Sequence, residues 1–363
     1  MRNFKEFWKN KKVLITGHTG FKGSWLTLYL LNLGAKVTGL ALNPNENQPL
    51  FNQLDLERKI HHNIVDINNL ELVKEIVNDS KPDFIFHLAA QPLVRESYIN
   101  PLNTWKTNVF GSLNLLESIK DFSHMCSIVI VTTDKVYKNI NWHYGYREND
   151  PLGGYDPYSS SKAALEIAVS SWRDSFCGTK SYQNPNLFIA TCRAGNVIGG
   201  GDWGEDRIIP DIIRNLQENK VIKIRNKFAI RPWQHVLEPI SGYVQLAKKI
   251  YETSDTKSKL NLCGAFNFGP NLDSNRKVSE LVNEVIKYWK GTWIDTSNDD
   301  DFHEAKILKL NIDKSYELLN WKPKWEFGEV IYRTIMWYKN QHQKLSSPID
   351  LCLNDIKDFQ SDF

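Results

Sequence analysis

The sequence predicts an α/β protein: a mostly parallel sheet covered by helices on both faces, followed by a smaller, interleaved lobe. Three observations carry this. Short apolar runs recur along the chain, each bounded by glycine, proline or polar residues. Longer segments with helical spacing alternate with them, as they do when parallel strands are joined by helical crossovers. The runs are almost wholly apolar rather than alternating, which suits strands buried on both faces.

Lys12 to Thr16 (KVLIT) reads as the first strand. GHTGFKG follows at Gly17 to Gly23, then SWLTLYLLNLG, a helix with Gly34 as a suitable C-cap. Ala35 to Leu42 is a second strand and His61 to Val65 another. The helix Leu70 to Asn78 leads into PDFIFHLAA, with a strand centred on Phe84 to His87. Pro101 to Ile119 is helical, Ser127 to Val131 is the next strand, and Ser160 to Phe176 is a long helix. Leu187 to Ile198 holds a strand and its exit. AFNFG at Ala265 to Gly269 reads as a strand returning to the sheet. After Gly195 the texture changes: arginine, tryptophan, glycine and proline cluster between Gly199 and Pro239. The domain reading is residues 1–195 for the sheet domain with a returning strand at 265–269, residues 196–345 for the second lobe, and residues 346–363 for a polar, poorly ordered tail.

A chain of 363 residues suggests about two domains. Its 45 basic and 42 acidic residues leave a net charge of +3, too balanced to argue for nucleic acid or an anionic membrane. The aromatic residues do not interleave with a basic stripe. Cys126, Cys177, Cys192, Cys263 and Cys352 are odd in number and lack metal-ligand spacing, so neither a disulfide framework nor a metal site is expected. MRNFKEFWKNKK has no apolar signal region. No stretch reaches the roughly 20 apolar residues of a membrane helix. The expectation is a cytoplasmic protein.

Gly17, Gly20 and Gly23 stand between a strand and a helix with G-x-x-G-x-x-G spacing. Glycine admits unusual dihedrals and lets a phosphate approach the backbone. The helix N-terminus then offers free N–H groups to a pyrophosphate. This predicts a Rossmann-like, doubly wound dinucleotide site. Its candidate contacts are Gly17, His18, Thr19, Gly20, Phe21, Lys22 and Gly23 in the loop, and Leu88, Ala89, Ala90 and Gln91 after His87. Asp66 and Ile67 follow the third strand and flank the adenine end, although Asp66 also suits a plain turn. No acid stands about 20 positions after the loop to hold a ribose, and no arginine awaits a 2′-phosphate. The motif therefore does not separate NAD from NADP.

Tyr158 and Lys162 in YSSSK lie four residues apart, on one helix face. A tyrosine ordinarily titrates near about 10, and a neighbouring ammonium favours the phenolate. Lys162 is thus expected to lower Tyr158 and to hold the cofactor ribose. Thr133 sits at the carboxyl end of a strand, where ligands of open α/β sheets collect, and can donate to a substrate hydroxyl. Asp134 and Lys135 beside it are surplus to a simple oxidation. A new ketone acidifies the adjacent C–H; a base removes that proton, an acid protonates a leaving hydroxyl, and water departs. The plain alternative for Asp134 and Lys135 is a solvated turn or an ion pair. An epimerase would need Tyr158 and the dinucleotide but no such pair. A non-catalytic dinucleotide-binding regulator would leave Thr133, Tyr158 and Lys162 unused.

Several blocks together resemble the extended short-chain dehydrogenase/reductase family, and within it the nucleotide-sugar 4,6-dehydratases. They are GHTGFKGSW at Gly17 to Trp25, HLAAQPLVRESY at His87 to Tyr98, TTDKVY at Thr132 to Tyr137, and YSSSKAALE at Tyr158 to Glu166. CRAGNVIGGGDW at Cys192 to Trp203, DRIIPD at Asp206 to Asp211, RPWQHVLEP at Arg231 to Pro239, and the block from His303 to Trp321 continue the likeness. Relatives acting on dTDP-glucose or GDP-mannose usually carry glutamate after the aspartate; lysine at 135 resembles the CDP-glucose type. The resemblance implies CDP-D-glucose as substrate and NAD as a bound, regenerated cofactor. It implies C4 oxidation with hydride transfer to NAD, elimination across C5 and C6, and hydride return to C6. The product is CDP-4-dehydro-6-deoxy-D-glucose, which feeds dideoxy sugars of bacterial surface polysaccharide. Tyr158 would be the oxidation base with Thr133 and Lys162 beside it, Asp134 the acid at the C6 hydroxyl, and Lys135 the base at C5. A homodimer or higher homo-oligomer is implied, through the helices Pro101 to Ile119 and Ser160 to Phe176.

A diphosphate substrate calls for arginine forks, and Arg193, Arg207 and Arg231 are the candidates. Asn196 would meet a phosphate or sugar, and Trp233 would pack on a ring or fill the core. Arg95 either approaches substrate or is a surface charge. Asn108 orders the active-site backbone or a water, or is a satisfied core amide. His235 reads as structural.

Overall fold

The computed structural model describes residues 2–44, 49–297 and 307–361. The first four residues of the block beginning at His303 lie outside that range. Strands β1 (Lys12–Thr16), β2 (Lys36–Ala41), β3 (His61–Ile64), β4 (Phe84–His87), β5 (Cys126–Val131) and β6 (Leu187–Arg193) appear where the apolar runs predict them. With the Ala265–Asn267 strand they make a seven-stranded sheet in the order β3-β2-β1-β4-β5-β6 and then Ala265–Asn267, every pairing parallel. The order reverses between β1 and β4. That is where a doubly wound sheet opens a crevice at its carboxyl edge.

Strand side chains alternate between the two faces, and each face has its own core. Phe84, Phe86, Val129 and Val131 join Trp8 and Trp25 on one side. Ile85, Ile128 and Ile130 join Leu14, Leu115 and Leu165 on the other. The first of these cores runs without a break into the second lobe, through Tyr243, Phe266 and Trp337. The Leu237–Glu252 helix packs back on the sheet, where Ser127 Oγ donates to the Ala247 carbonyl at 3.1 Å. This helix and the Ala265–Asn267 strand, both within residues 196–345, complete the sheet layer.

Two further elements depart from expectation. The helix predicted over Pro101 to Ile119 contains a π-helical stretch, Lys106–Gly111, between α-helical Pro101–Trp105 and Ser112–Ile119. Such turns concentrate at functional sites. The tail is not loose: Pro348–Ser361 is a helix that buries Leu351, Cys352, Ile356 and Phe359. Arg333 anchors it through Asp355 at 3.2 Å and Asp358 at 2.8 Å, over the face of Trp325. The four apolar positions share one helix face, diluted by the charged residues between them. No helix among the described residues is long and apolar enough to cross a membrane.

The Pro157–Phe176 helix is fastened to the sheet by charge. Glu166 Oε1 accepts from Arg193 Nε at 2.9 Å and from Thr132 Oγ1 at 2.6 Å. Its Oε2 accepts from Arg193 Nη2 at 3.0 Å and Thr191 Oγ1 at 2.7 Å. Burial pushes the Glu166 carboxyl up, but the Arg193 charge and these hydrogen bonds outweigh it and hold it below its ordinary value. Arg193 also donates to the Tyr137 hydroxyl at 2.9 Å and the Glu148 carbonyl at 3.0 Å. With these partners and a side chain 4% exposed, Arg193 does not reach a ligand, so the expected phosphate contact is corrected to a structural one.

Arg193→Met leaves the Glu166 carboxylate buried without its counter-charge. Loss of one partner from a buried pair costs about 3–5 kcal/mol, so urea unfolding should show a destabilisation of that order. A change near zero would remove the pair from its structural role. Glu238 offers a pH test. Burial pushes its carboxyl up to about 7, against hydrogen bonds from the Trp325 and Lys324 backbone. An unfolded glutamate titrates near about 4.3, so the folded state binds this proton more tightly. Stability should fall as pH rises from about 4.5 through about 7 and level off above; Asp355, raised to about 7 chiefly by burial, acts with the same sign. Thermal melts at pH 6 and pH 8 should show this slope, and Glu238→Gln should reduce it to the share that Asp355 contributes.

Candidate active site

A cleft of about 2050 Å³ runs along the carboxyl ends of the central strands. One end is the glycine turn. Gly17 has φ +74°, and a Cβ on it would lie 2.7 Å from the Ala89 backbone nitrogen. A Cβ on Gly23 would lie 2.1 Å from the Gly17 carbonyl oxygen. The turn is thus pressed against the exit of β4, and the Phe21–Asn32 helix against the turn. That helix has no acidic residue in its first turn, so its N-terminal dipole stays available to an anion. Leu42, Asp66 and Ile67 line the outer end, and Leu88, Ala89 and Ala90 line the floor. The steric demand for glycine, the open helix end and a channel continuing to Tyr158 fit a dinucleotide.

The switch point is held by a buried chain. Thr16 Oγ1 lies 2.6 Å from His87 Nδ1, and His87 Nε2 lies 2.8 Å from Ser112 Oγ. Burial and then the Lys162 charge push His87 down to about 3, so it stays neutral and structural.

Three predicted contacts turn away from the cleft. The His18 ring is buried under Gly39, with Nε2 at 2.6 Å from His62 Nδ1. Burial and the neighbouring His62 push it down to about 3. The Gln91 side chain donates to the Leu93 carbonyl and Thr104 Oγ1, at 3.0 and 2.8 Å. Asn108, fully buried, accepts from the Gln91 N–H at 2.8 Å and donates to Ser161 Oγ at 2.9 Å. These two order the backbone after β4. Asp66 lines the cleft while its Oδ1 accepts from the Asn68 N–H at 2.9 Å, so it is both wall and turn residue.

At the other end Thr133, Asp134, Lys135, Tyr158 and Lys162 converge. The tyrosine lies in the first turn of the Pro157–Phe176 helix, whose N-cap Asp156 accepts from the Ser159 N–H at 2.9 Å. Thr133 Oγ1 donates to Asp134 Oδ1 at 3.1 Å and is hydrogen-bonded with Tyr158. Burial pushes Tyr158 up to about 12; the leading opposing influences are the Thr133 hydrogen bond and the Arg207 charge. Lys162, expected to lower the tyrosine, instead donates to the Val131 carbonyl at 3.3 Å. Burial, and then Lys22, push Lys162 down to about 8.

Arg207, Arg231, Arg95, Asn196 and Trp233 line the same cleft. Arg207 is oriented by both oxygens of Asp202, at 2.8 and 2.9 Å. Arg231 Nη1 donates to the Ile230 carbonyl at 3.0 Å, and Arg95 lies 3.4 Å from Asp206. Trp233 is buried in the core at the cleft wall, fixed by a bond from Nε1 to the Arg276 carbonyl at 3.1 Å. Asn196 has φ +45°. Lys22 reaches further than a loop residue would suggest. Burial, then the Arg207 charge, push it down to about 8, and Asp134, Asp202 and Lys135 also act on it. Sequence reading missed Asp202 and the 223–228 segment of the cleft wall. The acid in GGGDW, five residues before Arg207, was the available signal for the first; nothing local marks the second.

A family profile described as GDP-mannose 4,6 dehydratase matches residues 14–334. The chain is 43% identical over 337 residues to a CDP-glucose 4,6-dehydratase of Salmonella typhimurium strain LT2, covering 92% of each chain. A dTDP-glucose 4,6-dehydratase from Bacillus anthracis, solved in complex with NAD, superimposes with a TM-score of 0.74 at 21% identity, over 92% of this chain and 98% of that one. A UDP-glucose-4-epimerase from Stenotrophomonas maltophila with bound NAD gives a TM-score of 0.76 at 18% identity, over 93% and 100%. The two structures share the fold with this chain. The family match spans the sheet, the glycine turn and the Thr133–Lys162 constellation, and with the 43% relative it establishes that the chain belongs to the GDP-mannose 4,6 dehydratase family, among its CDP-glucose 4,6-dehydratase members.

Proposed function

We propose that this chain converts CDP-D-glucose to CDP-4-dehydro-6-deoxy-D-glucose and water, with NAD as an internally recycled cofactor. The observation that carries the reading is the meeting of a redox group, Tyr158 with Thr133, and an elimination pair, Asp134 with Lys135, in one cleft that begins at the glycine turn. The kinship with a CDP-glucose 4,6-dehydratase supports the choice of nucleotide.

Gly17 to Gly23, Asp66 and Ile67 would hold NAD, which would supply a two-electron hydride acceptor and donor for the sugar. Thr133 orients the C4 hydroxyl toward Tyr158; the Thr133 hydrogen bond and the Arg207 charge oppose the burial that holds the tyrosine proton, and the positive charge of bound NAD would add to them, favouring the phenolate that takes the hydroxyl proton as the ketone forms. Lys162 lines the same cleft one helical turn on and would hold the cofactor ribose. Lys135 removes the proton from C5, now acidified by the ketone. Asp134 gives its proton to the departing C6 oxygen. Lys135 returns its proton to C5, and the proton that Tyr158 took from the C4 hydroxyl passes to Asp134 by way of Thr133, which is hydrogen-bonded to both; only then are all three groups restored. Arg207, Arg231 and Lys22 bind the diphosphate, with Asp202 fixing the Arg207 fork; Arg95, Asn196 and Trp233 complete the sugar-nucleotide wall.

The chain acts as a homo-oligomer in the cytoplasm. Ile99, Leu102, Phe110 and Ile167 are 73%, 84%, 62% and 62% exposed. Leu102, Phe110 and Ile167 lie on the helices already implicated, and Ile99 ends the Val94–Ile99 helix just before the first of them; together they supply the apolar face a second copy would cover.

Purified protein given CDP-, dTDP-, UDP- and GDP-hexoses should turn over CDP-glucose to the 4-keto-6-deoxy product without net NAD reduction. Turnover confined to dTDP-glucose or GDP-mannose would reject the substrate. Tyr158→Phe removes the proton acceptor. General acid–base groups contribute about 10²–10⁴-fold, so kcat should fall by that factor with KM little changed; near-normal turnover would dismiss Tyr158 as the base.

A further inference from the structure

Asp134 is fully buried, and its Oδ2 has no hydrogen-bond partner among the described residues. Such a group is costly and free to wander unless packing holds it. Thr133 Oγ1 donates to Oδ1 at 3.1 Å, and Oδ2 is backed by Gly195, at the exit of β6. A Cβ built on Gly195 would fall 1.7 Å from Asp134 Oδ2 and 2.0 Å from its carboxyl carbon. The carboxylate therefore rests directly on the Gly195 backbone. Gly195 has no left-handed φ, so the backbone alone does not require glycine there; the neighbouring carboxylate does.

The Gly195 peptide is held in turn. Gln234, 1% exposed, uses both of its amide N–H groups: Nε2 donates to the Gly195 carbonyl at 3.1 Å and to the Phe268 carbonyl at 2.9 Å. Phe268 follows the Ala265–Asn267 strand, and its N–H donates to the Arg193 carbonyl at 2.8 Å. The Gln234 N–H donates to the Asn196 carbonyl at 3.3 Å, within the short pairing of Gln234 with Val197. One buried amide thus ties two strand exits together under the acid. Oε1 of the same amide has no partner among the described residues. The side chain accepts that cost while both donors stay engaged.

We propose that Gln234 is a positioning residue for Asp134, acting through the Gly195 peptide, and that the pair governs elimination rather than oxidation. The inference rests on the dehydratase reading above. The hydrogen bonds of Gln234 go to Gly195, Asn196 and Phe268 rather than to Tyr158 or the glycine turn, so its loss should leave C4 oxidation nearly intact. The proton delivered to the C6 oxygen is the step that depends on where Asp134 stands.

The test uses Gly195→Ala and Gln234→Met with NAD, each first checked by circular dichroism and thermal melting. Each is offered CDP-glucose and its analogue with fluorine at C6, a leaving group that departs without taking a proton. A misplacement of about 1 Å can cost about 100-fold. Product from CDP-glucose should fall about 100-fold in Gly195→Ala and about 10-fold or more in Gln234→Met. The 4-keto, undehydrated sugar should then accumulate with reduced nicotinamide, KM should hold, and the fluoro substrate should lose only a few-fold. Equal slowing of both substrates, equal loss of oxidation and elimination, or no change in a folded variant would each overturn the proposal. Failure of the unmodified enzyme to dehydrate CDP-glucose would instead sink the functional reading on which it rests.

Discussion

The ion pair between Glu166 and Arg193 is the constraint on which the site's geometry depends. Tyr158, Lys162 and Glu166 recur every four residues, so they form one stripe of the helix. Glu166 meets Arg193 and two threonines at the ends of β5 and β6. Fixing the last of the three therefore sets the rotation of the helix for the other two. Such a pair is a poor source of net stability, because taking both charges out of water costs nearly what their attraction returns. Its value here is positional: four hydrogen bonds leave the helix one rotation about its axis.

The second constraint is steric and lies at the other end of the cleft. Gly17 and Gly23 are packed backbone to backbone, against Ala89 and against each other. The helix N-terminus is thereby brought close to the exit of β4, and the buried chain Thr16, His87, Ser112 fastens that junction from behind. The dinucleotide end is defined by close backbone approach and the catalytic end by charge, and the sheet connects them rigidly.

Between the two ends the electrostatics change sign over a short distance. Lys22, Lys135 and Arg207 converge with Asp134 and Asp202. The cations make the wall attractive to a diphosphate, while Asp202 holds the Arg207 fork in one orientation. Burial holds the Tyr158 proton tightly, and the same burial loosens those of Lys22 and Lys162. Burial shifts acids and bases in opposite directions, because it penalises the charged form of each.

The strands, the glycine turn, the adjacency of Thr133, Asp134 and Lys135 and the pairing of Tyr158 with Lys162 were legible in the sequence, because each depends on contiguous residues or on one helical repeat; that the two groups share one cleft followed from the family resemblance rather than from local pattern. The apolar runs dictate a doubly covered sheet, and four-residue spacing puts the tyrosine and lysine on one face whatever surrounds them. The role of Arg193 was not legible, since its partner is 27 residues away and only folding brings the two within hydrogen-bonding distance. The same holds for the inward turn of His18 onto His62, for Lys162 facing Val131 rather than the tyrosine, and for the docked helix Pro348–Ser361, whose burial depends on Arg333 and Trp325. Local pattern decided which residues could do chemistry; the tertiary structure decided which of them face the cleft, because orientation is set by partners that sequence distance conceals.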